Sequence, residues 1–311
     1  MITAIVLNWN GKHFLKECFD SLLNQSFKDY ELFMVDNGST DGSLEFMRDK
    51  FPQVEILSLS RNMGFCRAMN AGIKLAKGRF IALFNNDVVV DKNWMGEMNA
   101  ALENNPDVGT CASKILFYNA PHRINSVGDL LSISGEAHNR GFDEELDSKY
   151  DIPEFVFSAS AAACIYRRTM LKEIGLFDED FFNTYEDIDL SFRAHLKGWK
   201  CLYVPKATVY HHWLGTIGLF SPMNIFYMSK NNLNILIKNM PLELIKKYAS
   251  VIFKKHLKIN LGMALRGSCS AFIKGKLRYL LQLPKMLKKR NTILKDRKIT
   301  LKELEGLLER D

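Results

Sequence analysis

The chain predicts an α/β fold: a mostly parallel central sheet flanked by helices, followed by a basic helical module. Three observations carry this expectation. Apolar runs of strand length alternate with amphipathic stretches of helix length through the first 110 residues, which is the spacing of βα units. Acidic segments close two of those runs, at Val35-Asp36-Asn37-Gly38-Ser39-Thr40-Asp41-Gly42 and Phe84-Asn85-Asn86-Asp87-Val88, and a third follows at Tyr185-Glu186-Asp187-Ile188-Asp189. Charge is also divided unevenly: residues 1–221 hold 22 Lys+Arg against 29 Asp+Glu, and residues 222–311 hold 20 against 6.

The elements follow in order. Residues 2–7 read as a strand, and 14–23 as a helix with Phe14, Leu15, Cys18, Phe19, Leu22 and Leu23 on one face. Residues 31–36 form the next strand, and Asp41 or Ser43 is placed to cap the helix after it. A short strand over 54–59 precedes a helix over 68–76, with Gly78 as its stop and a strand over 79–84 beyond. Residues 111–160 are less regular, and 155–167 are apolar and rich in small residues. Residues 186–198 read as a helix ending at Gly198; Lys200 to Val204 reads as a strand broken by Pro205. Helices are expected over 226–240, 242–258 and 261–283. The division is therefore 1–221 for the chemistry and 222–311 for a separate basic module.

Composition narrows the function classes. The chain has 311 residues, 47% hydrophobic and 25% charged, which is the range of ordinary globular proteins. Its six cysteines are scattered without a Cys-x-x-Cys pair, so a cysteine metal site and a disulfide framework are not expected. The run Ile2–Leu7 is too short for a secretory signal, and no apolar stretch has the length of a spanning helix. No Gly-x-Gly-x-x-Gly follows the first strand, which excludes a dinucleotide oxidoreductase. A nucleotidyltransferase would need a glycine-rich basic loop there, and Asn8-Trp9-Asn10-Gly11-Lys12 is a poor version of one.

Carboxylates at the C-terminal ends of parallel strands stand where open α/β sheets bind ligands. Asp36 can accept from a base N–H or a ribose hydroxyl. Asn37-Gly38 is also a turn signal. Trp9 offers an aromatic face beside two amides, or else packs on the helix that follows. The three acidic segments together suit a nucleotide, a divalent cation and a proton acceptor in one cleft, although Asp87 could form only a strand-end turn and Asp187 only a helix cap. Asp189 and Arg193, four apart, suit a structural pair.

The ordered set of these segments resembles the family 2 glycosyltransferases with the glycosyltransferase A, Rossmann-like nucleotide-binding fold, and among them the bacterial rhamnosyltransferases. The matching text includes Ile5-Val6-Leu7-Asn8-Trp9-Asn10-Gly11, Asn62-Met63-Gly64-Phe65, Asn70-Ala71-Gly72 and Gly175-Leu176-Phe177-Asp178-Glu179, together with the acidic segments. The resemblance implies an inverting, metal-dependent transfer of a sugar, first of all rhamnose, from a dTDP- or UDP-linked donor. The acceptor would be a saccharide or a polyprenyl-linked saccharide in surface polysaccharide synthesis. It implies nucleotide contacts from Asn8, Trp9, Asn10, Asp36, Asn37, Asn62, Gly64 and Asn86. It implies Mg²⁺ or Mn²⁺ held by Asp87, with His211 as the nearby imidazole and ahead of His212. Asn85 stands where the family carries the first Asp of its Asp-x-Asp motif, so weak metal binding is expected. Asp187 is implied as the base, with Glu186 holding the acceptor or positioning the loop. The stretch Trp213-Leu214-Gly215-Thr216-Ile217-Gly218 reads as a loop that closes over the donor.

Lysines alternating with Leu, Ile, Phe and Tyr after residue 222 suit helices on an anionic membrane surface. With the resemblance, this implies a cytoplasmic protein held peripherally at the inner face of the membrane. A homo-oligomer interface is the other use such a face allows. No recognition motif accompanies the charge, so nucleic acid is not an expected partner. The module is expected to be dispensable for the chemistry. The alternative to an enzyme is a catalytically silent scaffold subunit of a membrane glycan-assembly complex.

Overall fold

The structure, a computed structural model, describes residues 1–213, 221–265 and 269–311. The expected closing loop after Trp213 lies outside the described residues. The first half alternates as expected: β1 (Ile2–Asn8), α1 (Lys12–Leu23), β2 (Tyr30–Asp36), α2 (Ser43–Lys50), β3 (Glu55–Ser58), α3 (Phe65–Leu75) and β4 (Phe80–Asn85). The middle adds β5 (Val88–Val90), α4 (Trp94–Asn104), β6 (Val108–Phe117), β7 (Ala120–Ser126), β8 (Asp129–Leu131), β9 (Ala137–Asn139) and β10 (Glu154–Val156). Then come β11 (Ala163–Arg167), α5 (Arg168–Ile174), α6 (Glu186–Leu196) and β12 (Lys200–His211). The chain closes with α7 (Pro222–Asn239), α8 (Leu242–Lys247), α9 (Ala249–Leu265), α10 (Cys269–Lys295) and α11 (Leu301–Gly306).

One central sheet runs β10-β12-β6-β11-β4-β1-β2-β3, with β5 on β12 and β7 on β6. Strands β3, β2, β1 and β4 are parallel. β11 then inserts antiparallel between β4 and β6, so the second half of the sheet is mixed. Strand side chains divide by alternation between the two faces. Ile5, Phe33, Val35, Ile81 and Leu83 join one core layer with α3 and α6. Ile2, Ala4, Val6, Met34, Phe80, Ala82 and Phe84 join the other with α1 and α4. Burial on both faces explains why these strands read as continuous apolar runs.

Two local readings change. Pro205 does not end its strand: β12 continues to His211, and its register against β6 shifts between Val204 and Thr208. A proline without an N–H is tolerated at such a bulge. Pro284 likewise lies inside α10. It offers no N–H to the carbonyl of Leu280 one turn earlier, a residue that is 56% exposed.

Residues 222–311 do not stand apart from the segment before them but pack on it. Lys238 of α7 is buried between Asp178 and Asp189 at 2.7 and 2.6 Å. Lys289 of α10 bridges Asp178 and Asp180 at 2.5 and 2.6 Å. Ile235, Leu236, Met240, Leu304 and Leu308 share one hydrophobic layer with the sheet. The lysines that the sequence offers to a surface are in part internal partners for acidic residues that precede them.

Candidate active site

The C-terminal ends of β1, β2 and β4 meet at Asn8. Its side chain is fully buried and donates to Asp36 Oδ1 at 2.9 Å and to Ser39 Oγ at 3.1 Å. Its Oδ1 accepts from Asn86 Nδ2 at 2.6 Å. Any side chain at Gly11 would collide with that amide, since a Cβ there would lie 1.8 Å from Asn86 Nδ2. Asp36 is fully buried and also accepts from the Ser39 N–H at 3.0 Å. Asn10 takes a left-handed conformation with φ of 53°, and its Oδ1 accepts from the Thr40 N–H at 2.7 Å. Asn8, Asn10 and Asp36 thus tie three strand ends together beneath the opening.

Above this layer lies a cleft of about 370 Å³, lined in part by Trp9, Asn37, Asn62, Gly64, Asn86, Asp87, Glu186, Asp187 and His211. Asn37 and Asn62 are fixed to one another at 3.1 Å, and their carbonyl oxygens accept from the Met63 and Gly64 N–H groups at 2.8 Å each. Gly64 has φ of +82°, and a Cβ there would strike the Phe182 ring at 2.5 Å. Glycine is therefore required at that rim on both counts.

Asp87 follows β4, and His211 ends β12; the pairing of Val88 with His211 brings them together. Asp87 Oδ1 lies 3.3 Å from His211 Nε2. It is buried without a well-aligned hydrogen-bond donor among the described residues. Burial would raise the Asp87 carboxyl, but His211 outweighs it and holds it below the ordinary range, so Asp87 is anionic. On its other side, His211 Nδ1 lies 2.9 Å from Asn125 Oδ1. That contact orients the ring so that Nε2 faces Asp87. Asp87 Oδ1 and His211 Nε2 are the two atoms that would hold a small divalent cation. Among the described residues no group of three or more His, Cys, Asp or Glu converges on such a point. Further ligands would have to come from water and from a bound phosphate. His212 points elsewhere, stacked on Tyr118 with ring centroids 3.8 Å apart.

Glu186 and Asp187 open α6, where unbonded N–H groups favour negative charge. Asp187 is half-buried, and its two oxygens accept from the N–H groups of Ile188 at 2.8 Å and Ala161 at 3.3 Å. Burial keeps the Asp187 carboxyl above its ordinary value despite these bonds. Glu186 is raised further, first by burial and then by the charge on Asp187, and its Oε2 has no hydrogen-bond partner among the described residues. Asp129 is raised by the same two causes in the same order. All three carboxyl groups are thus raised, Glu186 and Asp129 more than Asp187, whose charge opposes theirs. A second cavity of about 220 Å³ shares Thr184, Tyr185 and Asp187 with the first and adds Asp129, His138, Ile188 and Met228.

Sequence reasoning did not single out Asn125, Asp129, Asn139 or Ser160. All come from the irregular middle, where no period or turn signal distinguishes a cleft residue from a loop residue. Asp189 and Arg193 do pair, at 3.0 Å, away from the cleft.

Comparison with known proteins agrees with this architecture. The chain is 22% identical over 219 residues to the poly-beta-1,6-N-acetyl-D-glucosamine synthase of Staphylococcus epidermidis, covering 70% of this chain and 51% of that protein. It is 25% identical over 235 residues to the N-acetylglucosaminyl-diphospho-decaprenol L-rhamnosyltransferase of Mycobacterium tuberculosis, covering 68% of this chain and 76% of that protein. The crystal structure of GalNAc-T7 with UDP, GalNAc and Mn²⁺ superposes with a TM-score of 0.62 at 16% identity, over 76% of this chain and 48% of that one. The chain spans only 24% and 51% of the length of two of the curated relatives it matches. The description "Glycosyl transferase family 2" fits residues 3–175, more than half of the sequence, and the chain belongs to that family.

Proposed function

We propose that this protein is an inverting, metal-dependent glycosyltransferase that moves a sugar from a nucleotide-diphospho-sugar to a saccharide or polyprenyl-linked saccharide. The observation that carries the reading is one cleft holding Asp187 at the start of α6 and the Asp87–His211 pair at the ends of the sheet. The acceptor hydroxyl attacks the anomeric carbon as the bond to the diphosphate oxygen breaks. Asp187 takes the hydroxyl proton, and the diphosphate leaves with the bonding electron pair. Mg²⁺ or Mn²⁺ held by Asp87 and His211 would neutralise charge on that leaving group. Trp9, Asn37, Asn62, Gly64 and Asn86 face the nucleotide side, backed by Asn8, Asn10 and Asp36. The cavity that Asp129 and His138 add beside Asp187 suits the acceptor. Rhamnose on dTDP is the first donor to try, supported by likeness to a rhamnosyltransferase; UDP-linked hexoses are the next. Turnover of a panel of dTDP-, UDP- and GDP-sugars, with and without Mn²⁺, tests the reading. Metal-stimulated release of nucleoside diphosphate from one donor is expected. Failure to bind any donor would instead favour a silent scaffold subunit.

Residues 1–221 carry this chemistry, and 222–311 serve attachment and support. The helical module presents an anionic membrane surface with Phe253 (68% exposed), Leu277 (56%) and Leu281 (74%). Lys254, Lys258, Lys274 and Arg278 are exposed among them. This supports a peripheral position at the inner face of the membrane. Immersing a leucine contributes about 1.5 kcal/mol or more. Leu277→Glu with Leu281→Glu should therefore weaken co-sedimentation with phosphatidylglycerol vesicles by at least about tenfold, leaving donor hydrolysis unchanged. Unchanged sedimentation, or a change only in oligomeric state, would remove the membrane reading.

A further inference from the structure

The loop 178–185 leads from α5 directly into Glu186 and Asp187, and it is bent in an unusual way. Phe182, Thr184 and Tyr185 all adopt left-handed conformations, with φ of 66°, 62° and 67°. Non-glycine residues persist there only where their surroundings over-determine them. Here the surroundings are one face of α7. Residues 227, 230, 231 and 238 recur at helical spacing and all turn to this loop.

Each makes a different hold. The Tyr227 ring stacks on Phe182, with centroids 4.9 Å apart and planes 5° from parallel. Lys230 Nζ donates to the Asp180 carbonyl at 2.7 Å. Asn231 Nδ2 is shared among the carbonyls of Phe181, Asn183 and Thr184 at 3.1, 3.0 and 2.8 Å. Asn231 Oδ1 is buried without a partner among the described residues, so this amide serves through its N–H groups. Lys238 joins Asp178 before the loop to Asp189 after it. Asn231 is fully buried and does not line the cleft. A leucine would fill such a site with fewer polar groups to satisfy, but it could not fix three carbonyl directions.

We infer that α7 is the positioning element for the acidic pair, and that Asn231 is the positioning residue through which it acts. The loop also touches the nucleotide side: the Cys66 N–H donates to the Phe182 carbonyl at 3.3 Å, and Phe182 packs beneath Gly64. The same hold thus sets the spacing between the two halves of the cleft. The catalytic consequence rests on the transferase reading above; the structural hold does not.

The test uses full-length Asn231→Ala. A misplacement of about 1 Å costs on the order of 10²-fold in rate, so kcat should fall by about that factor while donor affinity stays within about twofold. Hydrogen exchange should accelerate in residues 181–188 and remain unchanged in the sheet. Asn231→Ala with wild-type kcat and wild-type loop exchange would overturn the inference. So would equal losses of donor binding and kcat with exchange raised throughout, which is global damage. Should Asn231→Ala fail to fold, Lys230→Met removes a single bond to the loop and is read the same way, with a loss of about tenfold. A wild-type chain that turned over no donor would sink the transferase reading, and the exchange experiment would still judge the hold.

Discussion

Asp187→Asn is expected to lower turnover by about 10²–10⁴-fold, the usual contribution of a positioned base, with donor affinity retained. Asparagine keeps the shape and accepts through one oxygen, but it cannot take a proton from the acceptor. The environment distinguishes Asp187 from its neighbours. Two backbone N–H groups hold its charged form, whereas Glu186 and Asp129 have burial and the Asp187 charge against theirs. Burial still leaves Asp187 above the ordinary carboxylate value of about 3.9. The base must be ionised, so the rate should fall on acidification through a pKa above that value, and Asp187→Asn should abolish this acidic limb. A fully active Asp187→Asn would exclude Asp187 as the base; Glu186→Gln would then be the next variant to measure.

Asp87→Ala is expected to remove metal-stimulated turnover, a loss of about 10²–10³-fold for losing stabilisation of leaving-group charge. Asp87 is buried, its carboxyl is held below the ordinary range by His211, and its Oδ1 has no well-aligned hydrogen-bond donor among the described residues, which is the state of a ligand. His211→Ala should weaken metal affinity as well. Asn125→Leu, which removes the partner of the far nitrogen of His211, should weaken it by about 10–100-fold, as loss of an orienting partner does. Calorimetry with Mn²⁺ and nucleoside diphosphate reads the three variants without need of an acceptor. Equal metal affinity in wild type and Asp87→Ala would remove the metal from this site.

The strands and helices of the first half were legible because their signals are local. Period-2 burial on both faces of β1, β2 and β4 gives continuous apolar runs, and the acidic residues that end them stand at strand ends by chain order alone. The acidic pair at 186–187 could be read for the same reason, as the start of an amphipathic helix. The irregular middle was not legible. Asn125 and Ser160 reach the cleft, and Asp129 the cavity beside it, through β7, the turn before β11 and β8, and pairing partners far along the chain decide where those segments lie.

Pro205 shows the same limit, since only the strand beside it allows a bulge in place of a break. The basic tail shows it most fully. Composition along residues 222–311 gives a surplus of lysine, and that surplus alone reads as a surface. Which lysines face outward is a tertiary matter. Lys254, Lys258 and Lys274 remain exposed, while Lys238 is taken inside by two carboxylates some fifty residues before it. The sequence by itself determined the order of the βα units, the residues at their ends and the chemistry those residues can perform, because period and chain order specify these. The tertiary structure decided which groups share a cleft, how far burial raises each carboxyl and what holds it, because burial and charge pairing depend on neighbours that chain order does not name.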